Sequence, residues 1–241
     1  MTRLALRTIL LLAFVISITL FACKNRNNEN ANSDIKDDEI TTEVTKLLKF
    51  IYWGEGYYTQ FDYDSQNQMI KMSYGYLGDV ENTTIITYNT DGSVTVENLE
   101  TNQSLHYVRN GDIITVTGND EFEQTLTIDA SGYITKKETT YNDGSSSVEF
   151  NEFENGNMVP RSDGYDYVYD HKRTKLNCNT PKWLLQIEFG SFDIGKNNLI
   201  EIHSPDGVVE YQYAFDEDGY PTEMSWEGLS GDTWWNGYEY Y

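Results

Sequence analysis

The chain has 241 residues, a formal net charge of −22 and only two cysteines. Such an acidic chain repels nucleic-acid phosphates and anionic lipid headgroups, which excludes nucleic-acid binding as its function. Its length is ample for a folded domain with a hydrophobic core of its own.

The N-terminal residues have the pattern of a secretory signal peptide. Arg3 and Arg7 give a positive start, the apolar run Thr8 to Leu20 follows, and the small Ala22 precedes a cysteine. An uncleaved membrane anchor is the alternative interpretation, but a transmembrane helix needs roughly 20 apolar residues and this run is shorter. We therefore expect residues 1–22 to be removed on export.

The segment Leu20-Phe21-Ala22-Cys23 resembles a bacterial lipobox, the site where a cysteine thiol receives a lipid before cleavage. The resemblance implies lipidation of Cys23, and each buried methylene of the acyl chains contributes about 0.8 kcal/mol to membrane binding. Only Cys178 then remains in the exported chain, so no internal disulfide forms. Polar, Asn-rich residues follow Cys23 as far as position 45, which predicts a flexible tether over residues 23–45.

From residue 46 to residue 241 apolar and polar residues alternate, which is typical of strands with one buried face. The only plausible helical turn is Pro181 to Gln186. The apolar rows include Tyr57-Thr59-Phe61-Tyr63, Ile70-Met72-Tyr74, Phe122-Gln124-Leu126-Ile128, Val209-Tyr211-Tyr213-Phe215 and Tyr220-Thr222-Met224-Trp226.

Turn sequences rich in Asn, Asp and Gly separate these rows, as tight hairpins require. Gly132, Gly144 and Gly156 are evenly spaced, which predicts strands of about nine residues between three-residue turns. The sequence therefore predicts one all-β domain over residues 46–241. We expect an antiparallel meander of long hairpins that forms a strongly curved sheet or half-open barrel, with one face buried.

A transmembrane barrel is excluded because both faces of the predicted strands carry charge. Lys136 and Glu138 lie on one face of their strand and Lys137 lies on the other. On the next strand, Glu149 and Glu152 likewise lie on opposite faces. Charges facing lipid near the bilayer midplane cost a few kcal/mol each.

A weak repeat recurs on the hairpins: an aromatic residue, an acid or Asn, a turn with Gly or Asn, and an apolar residue. It resembles the YD repeats of Rhs-type proteins. With the lipobox, the tether and the segment Gly195-Lys196-Asn197-Asn198-Leu199, the chain resembles a Bacteroidota family of YD-repeat-like lipoproteins over Leu47 to Tyr241. This resemblance implies a porin-like β-sheet fold, and it brings no functional residues. The copies begin at Phe61-Asp62-Tyr63-Asp64, Tyr88-Asn89, Phe153-Glu154 and Tyr211, the last running to Phe215-Asp216-Glu217-Asp218-Gly219-Tyr220.

No catalytic or metal-binding constellation emerges, so we expect no cofactor, no metal and no enzymatic activity. A zinc site would need three separate strands to bring His106, His171 and His203 together. The turn at Gly219 lacks the flanking ligands of a calcium loop. Cys178 lies in a polar segment without the local context of a nucleophile. The 39 acidic residues give no basis for choosing a hydrolytic pair.

Aromatic residues are the unusual feature of the composition, with 19 Tyr and five Trp. Exposed rings on a sheet can stack on sugars or hold peptides, so Trp53, Trp226, Trp234 and Trp235 are candidate ligand contacts. The alternative is that strand alternation buries them in the core. The basic run from His171 to Lys175 is interpreted as a solvated loop or as a contact for an acidic partner.

These observations favour a monomeric, lipid-anchored protein of the cell envelope, in the outer membrane, that binds a glycan or an envelope protein without catalysis. Its membrane contact is the N-terminal lipid. A polysaccharide-acting hydrolase and a purely structural envelope component are the alternatives. Whether the protein faces the periplasm or the cell surface stays open. Surface export of such lipoproteins is associated with acids just after the lipidated cysteine, and here the first acid after Cys23 is Glu29.

Overall fold

The computed structural model describes residues 46–118, 122–160 and 164–241. The predicted signal peptide, Cys23 and the tether lie outside these residues. No helix in the described ranges has the length and hydropathy to cross a bilayer. The elements are β1 (Leu48–Tyr52), β2 (Tyr57–Tyr63), β3 (Met69–Tyr76), β4 (Asp79–Tyr88), β5 (Val94–Asn98), β6 (Gln103–Asn110), β7 (Ile113–Thr117), β8 (Phe122–Ile128), β9 (Ile134–Tyr141), β10 (Ser146–Phe150), β11 (Glu152–Glu154), β12 (Asn157–Val159), β13 (Asp166–Tyr169), α1 (Lys182–Phe189), β14 (Leu199–Ser204), β15 (Gly207–Phe215), β16 (Pro221–Glu227) and β17 (Thr233–Tyr240).

Fifteen of the described strands form one antiparallel sheet in the order β10-β9-β8-β7-β6-β5-β4-β3-β2-β1-β17-β16-β15-β14-β13. Strand β1 pairs with β2 on one side and with β17 on the other, where Ile51 lies opposite Tyr238. The chain thus builds two meanders and joins them through its first and last described strands. The predicted all-β antiparallel architecture is confirmed.

The sheet curves strongly around α1. The Phe189 ring packs on Phe61 of β2 with centroids 5.6 Å apart, and Gln186 hydrogen-bonds the backbone of Ile134 at the start of β9. In a flat sheet β2 and β9 would lie about 34 Å apart, at roughly 4.8 Å per strand, whereas eight helical residues span only about 12 Å. One short helix therefore reaches both strands only because the sheet bends around it.

The β11–β12 hairpin gives a second measure of this curvature. Its Phe153 stacks on Tyr133, just before β9, with ring centroids 4.2 Å apart. The hydroxyl of Tyr169, at the end of β13, donates to the carbonyl of Met158 at 2.8 Å. A single hairpin thus contacts regions close to both ends of the sheet order.

The core lies between α1 and the sheet face that curves around it. Side chains alternate along each strand, so every second residue points to that face, and these residues are mostly apolar. Trp183 and Leu184 of the helix complete the packing. Burying each such large side chain contributes about 1.5–3 kcal/mol. The fully buried strand residues include Ile51, Phe61, Met69, Ile114 and Leu126.

Two of the repeat copies, those that begin at Phe61 and Tyr211, contain a turn built on an aspartate, and the same turn recurs at Asp129. Oδ1 of Asp64, Asp129 and Asp216 accepts backbone N–H groups two and four residues later, at 2.8–3.0 Å. The third residue after each aspartate, such as Gly132 or Gly219, has a positive φ. The copy at Phe153 is instead the tight β11–β12 hairpin.

Each of these three turns is followed by a bulge that changes which residues are buried. After Asp64 the pairing skips Ile70, so Met69 is fully buried and Ile70 is only partly so. The predicted row that began at Ile70 is wrong at that position because the bulge inserts one unpaired residue.

The prediction of long, uninterrupted strands is wrong around Asn151, which separates β10 from β11. The Asn151 side chain donates to the carbonyl of Ile134, and its own N–H donates to Thr135 before the chain leaves the main sheet. The predicted helical turn at Pro181 is the start of α1, which extends to Phe189.

Alternate turns of a meander lie at opposite ends of the strands, and the two ends differ here. One end, called the Asp-turn end, carries the turns at residues 64–68, 89–93, 129–133 and 216–220. The other end, called the aromatic end, carries the turns at residues 53–56, 77–78 and 228–232. Exposed large apolar residues at or beside the aromatic-end turns include Tyr52, Trp53, Tyr76, Leu77, Leu229, Trp234 and Trp235.

Candidate functional site

A cavity of about 240 Å³ lies between the helix-facing side of the sheet and the end of α1. Strands β2 to β4, the β1–β2 turn, α1 and the loop that follows α1 all contribute to its wall. The lining residues are Trp53, Thr59, Met72, Tyr74, Asn82, Thr84, Glu188, Phe189 and Asp193.

Strand register explains why the polar and aromatic residues of the wall meet. Thr59 lies opposite Tyr74, and Tyr74 lies opposite Asn82, so the three side chains form one row across β2, β3 and β4. Trp53 is fixed above this row because its indole N–H donates to Thr59 Oγ1 at 3.0 Å. The cavity wall is therefore set by pairing geometry and one side-chain hydrogen bond.

Glu188 is a largely buried acid in this wall. Burial raises its pKa from 4.5 to about 7, because a carboxylate is poorly solvated there. Within the described ranges its carboxyl group forms no hydrogen bond or ion pair. It is thus poised to exchange a proton near neutral pH, and it offers both a donor and an acceptor to a ligand.

Asp193, the second acid of the wall, is held by the ammonium group of Lys175. Lys175 is almost completely buried and also lies over the ring of Tyr238, 5.5 Å from its centroid. Burial alone would lower the pKa of Lys175, but Asp193 and Tyr238 outweigh it and raise that pKa. The pair neutralises one of the two acids beside the cavity.

Asn82 supplies an amide with unused hydrogen-bonding capacity. Its Oδ1 is buried and accepts no hydrogen bond from any residue that the structure describes. An unsatisfied buried acceptor costs about 1–3 kcal/mol, so a donor from a ligand would relieve it.

The four predicted aromatic contacts do not form one patch. Trp53 lines the cavity, whereas Trp226 and Trp234 are a cross-strand pair whose rings stack with centroids 6.5 Å apart. Trp235 follows Trp234 on β17 and therefore points to the opposite face, where its ring approaches Gly237. Of the four, Trp53 is the one brought to this cavity.

A second, more open groove of about 460 Å³ lies near the aromatic end of β15 and β16. Trp226 contributes to it beside Glu210, Glu227 and Leu229. Val208, Gln212 and Ser225 also line it.

The histidines and the cysteine are dispersed. His106 Nδ1 lies 3.3 Å from Thr95 Oγ1, and His203 lies 2.5 Å from a Glu201 carboxyl oxygen. Among the described residues no three potential metal ligands cluster. Cys178 is half-buried, and burial raises the pKa of its thiol.

Two members of the basic run from His171 to Lys175 pack inward, so its interpretation as a solvated loop is wrong for Arg173 and Lys175, whereas His171 and Lys172 are exposed. Lys172 lies over the Phe215 ring at 3.8 Å, and Arg173 donates to the Tyr220 hydroxyl at 2.9 Å. Lys175 is buried beside Asp193. Aromatic side chains of β15 to β17 thus hold this segment against the sheet.

Sequence reasoning missed Asn82, Glu188 and Asp193 as site residues. Glu188 gave one usable signal, because it is the only charged residue in the mostly apolar run from Trp183 to Phe189. An acid in such a run is either exposed or buried at a cost that suggests a role. Asn82 and Asp193 give no comparable local signal.

Comparison with family models gives no match, and comparison with curated proteins gives none either. Among solved structures, a porin-like protein from Bacteroides uniformis ATCC 8492 aligns with 80% of this chain and 96% of its own, at a TM-score of 0.48 and 14% sequence identity. The resemblance to YD-repeat-like lipoproteins stays a prediction from the sequence.

Proposed function

We propose that this protein is a lipid-anchored component of the cell envelope that binds a glycan without catalysis, in the cavity beside Trp53. The observation that carries the proposal is the wall itself, where the rings of Trp53, Tyr74 and Phe189 lie among hydroxyl, amide and carboxyl groups.

This combination suits a sugar better than a purely apolar ligand. Sugar rings have apolar C–H faces that pack on aromatic side chains and a rim of hydroxyls that need hydrogen-bond partners. Thr59 and Asn82 offer such partners on one row of the sheet, and Thr84 offers another on the neighbouring row. The volume is slightly below the roughly 300–1,000 Å³ of cavities for drug-sized ligands, which suits one sugar unit.

The envelope address is supported by the sequence. Arg3, the apolar run that follows and Cys23 have the order of a lipoprotein signal, and the tether would let a folded domain stand away from the bilayer. The strong negative charge favours a soluble domain body that stays off anionic lipid.

Calorimetric titration of the purified chain with a panel of oligosaccharides tests the glycan proposal. We expect at least one glycan to bind, and Trp53→Ala to weaken that binding by about tenfold or more, the size of one lost stacking contact. Trp235→Ala is the matched control, since it removes an equally exposed tryptophan from the opposite face. Equal losses in both variants, or no binding to any glycan, would reject the proposal.

A hydrolase is the second candidate, and one observation favours it: two acids, Glu188 and Asp193, line the same cavity. A carboxyl group with a pKa near neutrality suits a general acid, and glycoside hydrolysis uses a pair of carboxyl groups. Turnover of a polysaccharide that disappears in Glu188→Gln would favour this candidate. Binding without turnover in the wild type would favour the non-catalytic function.

A further inference from the structure

Three tyrosines form a ladder that leads from the cavity towards the aromatic end of the sheet. Tyr74 lines the cavity, and the ring of Tyr57 stacks on it with centroids 6.0 Å apart and planes 17° apart. Tyr76 then packs against Tyr57 at 4.6 Å. The register places all three on the sheet face that bears the cavity, because Tyr57 lies opposite Tyr76 on β3.

The ladder is held in place yet remains accessible. Tyr57 lies between the other two rings and braces both, while Tyr74 and Tyr76 keep 38% and 37% of their surface exposed. Tyr74 and Tyr76 are two residues apart on one strand, which spaces their backbones by about 6.6–6.8 Å. Successive aromatic groups at such intervals suit a ligand with repeating units.

The size of the cavity also favours a ligand with several units. At about 240 Å³ it suits one sugar unit, and the ladder begins in its wall. A longer chain that enters the cavity with its terminal unit would leave over Tyr74 and Tyr76.

The charges along this path select against acidic sugars. Glu188 and Asp193 flank the cavity, and Asp79 lies opposite Tyr76 in the register of β3 and β4. Lys175 offsets only Asp193, and the chain as a whole is strongly negative. Uronate or sulfate groups would therefore meet like charge at Asp79 and at the ionised form of Glu188.

We infer that the ligand is an uncharged oligosaccharide, bound with its terminal sugar in the cavity and its following sugars across the ladder of Tyr74, Tyr57 and Tyr76. This inference rests on the proposed glycan-binding function and specifies its ligand class.

Affinity measured against chain length tests the inference. The purified full chain is titrated with neutral β-linked glucose and N-acetylglucosamine oligomers, from the monosaccharide to the hexasaccharide, and with galacturonate oligomers of the same lengths. We expect affinity for at least one neutral series to rise by about tenfold or more over the first few units and then to level off, as successive contacts are added. We expect the galacturonates to bind more weakly at every length.

Tyr76→Ala should remove most of the gain with chain length and leave the affinity for the monosaccharide unchanged. Tyr141→Ala, which removes a comparably exposed tyrosine from β9, should leave both unchanged. Thermal melts of both variants check that the fold is retained.

The outcomes separate this inference from the proposed function. Affinity that is independent of chain length, or galacturonates that bind as tightly as neutral oligomers, would overturn the inference. Glycan binding that still depends on Trp53 would then leave the proposed function standing. If no sugar of any length or charge binds, the proposed function and the inference fail together.

Discussion

Gln186 of α1 and Ile134 of β9 are joined by two hydrogen bonds. The Ile134 N–H donates to Gln186 Oε1 at 2.7 Å, and Gln186 Nε2 donates to the Ile134 carbonyl at 3.1 Å. Gln186 thereby satisfies both backbone groups of a buried strand residue, much as a neighbouring strand would. This contact fixes the helix against the far side of the curved sheet.

Replacing Gln186 by Leu should therefore destabilise the protein substantially. The change keeps the volume but leaves the buried N–H of Ile134 without a partner, at a cost of about 1–3 kcal/mol, while the Ile134 carbonyl keeps the Asn151 side chain as a donor. We expect a loss of about 1–3 kcal/mol in the free energy of unfolding, measured by denaturant melts. Gln103→Leu, at an exposed position of β6, should change stability by less than about 0.5 kcal/mol. Similar midpoints for Gln186→Leu and wild type would contradict the described role of the contact.

Glu188 predicts a pH dependence of stability with a definite sign. Its folded pKa is about 7 and its ordinary pKa is 4.5, so the folded protein holds this proton more tightly than the unfolded chain does. Stability therefore falls as pH rises from about 4.5 to about 7, by on the order of 2–3 kcal/mol, and levels off above that window.

Comparison with Glu188→Gln isolates this effect from the general self-repulsion of the acidic chain. Melts of both proteins from pH 4.5 to pH 8 should show the variant gaining stability relative to wild type as pH rises. A constant difference between the two proteins across that range would show that the carboxyl group of Glu188 titrates normally.

Gly219 tests the recurrent aspartate turn. Its φ is +81°, and an added Cβ would meet no atom within 4 Å, so a substitution is opposed by backbone strain alone. Gly219→Val should lower the free energy of unfolding by roughly 1–3 kcal/mol. Gly228→Val should cost less, because Gly228 is outside the positive-φ region and an added Cβ there makes only ordinary contacts. The comparison is made by denaturant melts, and wild-type stability of Gly219→Val would mean that the turn tolerates a side chain.

Much of the sheet could be predicted from local patterns in the sequence. Alternation identified strands such as β8 and β15, and the glycines at 132 and 219 marked turns that do have positive φ. The bulges could not be seen in this way. A bulge depends on how a turn closes across two strands, and it moved burial from Ile70 to Met69.

The candidate site was harder to predict because it depends on contacts between distant parts of the chain. Trp53 and Glu188 meet only because the sheet curves around α1. No local pattern encodes that curvature, so the sequence indicated the four tryptophans as candidate ligand contacts by residue type alone. Strand register then separated Trp235 from Trp234, its neighbour in sequence.

The last prediction concerns the anchor, which is independent of the fold. If Cys23 is the lipidation site, cells grown with a labelled fatty acid should incorporate the label into the wild-type protein and not into Cys23→Ala. Cys178→Ala is the control, because it removes the other cysteine of the chain and should keep the full label. The polar residues that follow Cys23 offer no second hydrophobic anchor. Copies of Cys23→Ala that lose the signal peptide should therefore leave the membrane fraction in high salt. Label retained in Cys23→Ala, or lost only in Cys178→Ala, would show that the lipobox resemblance is misleading.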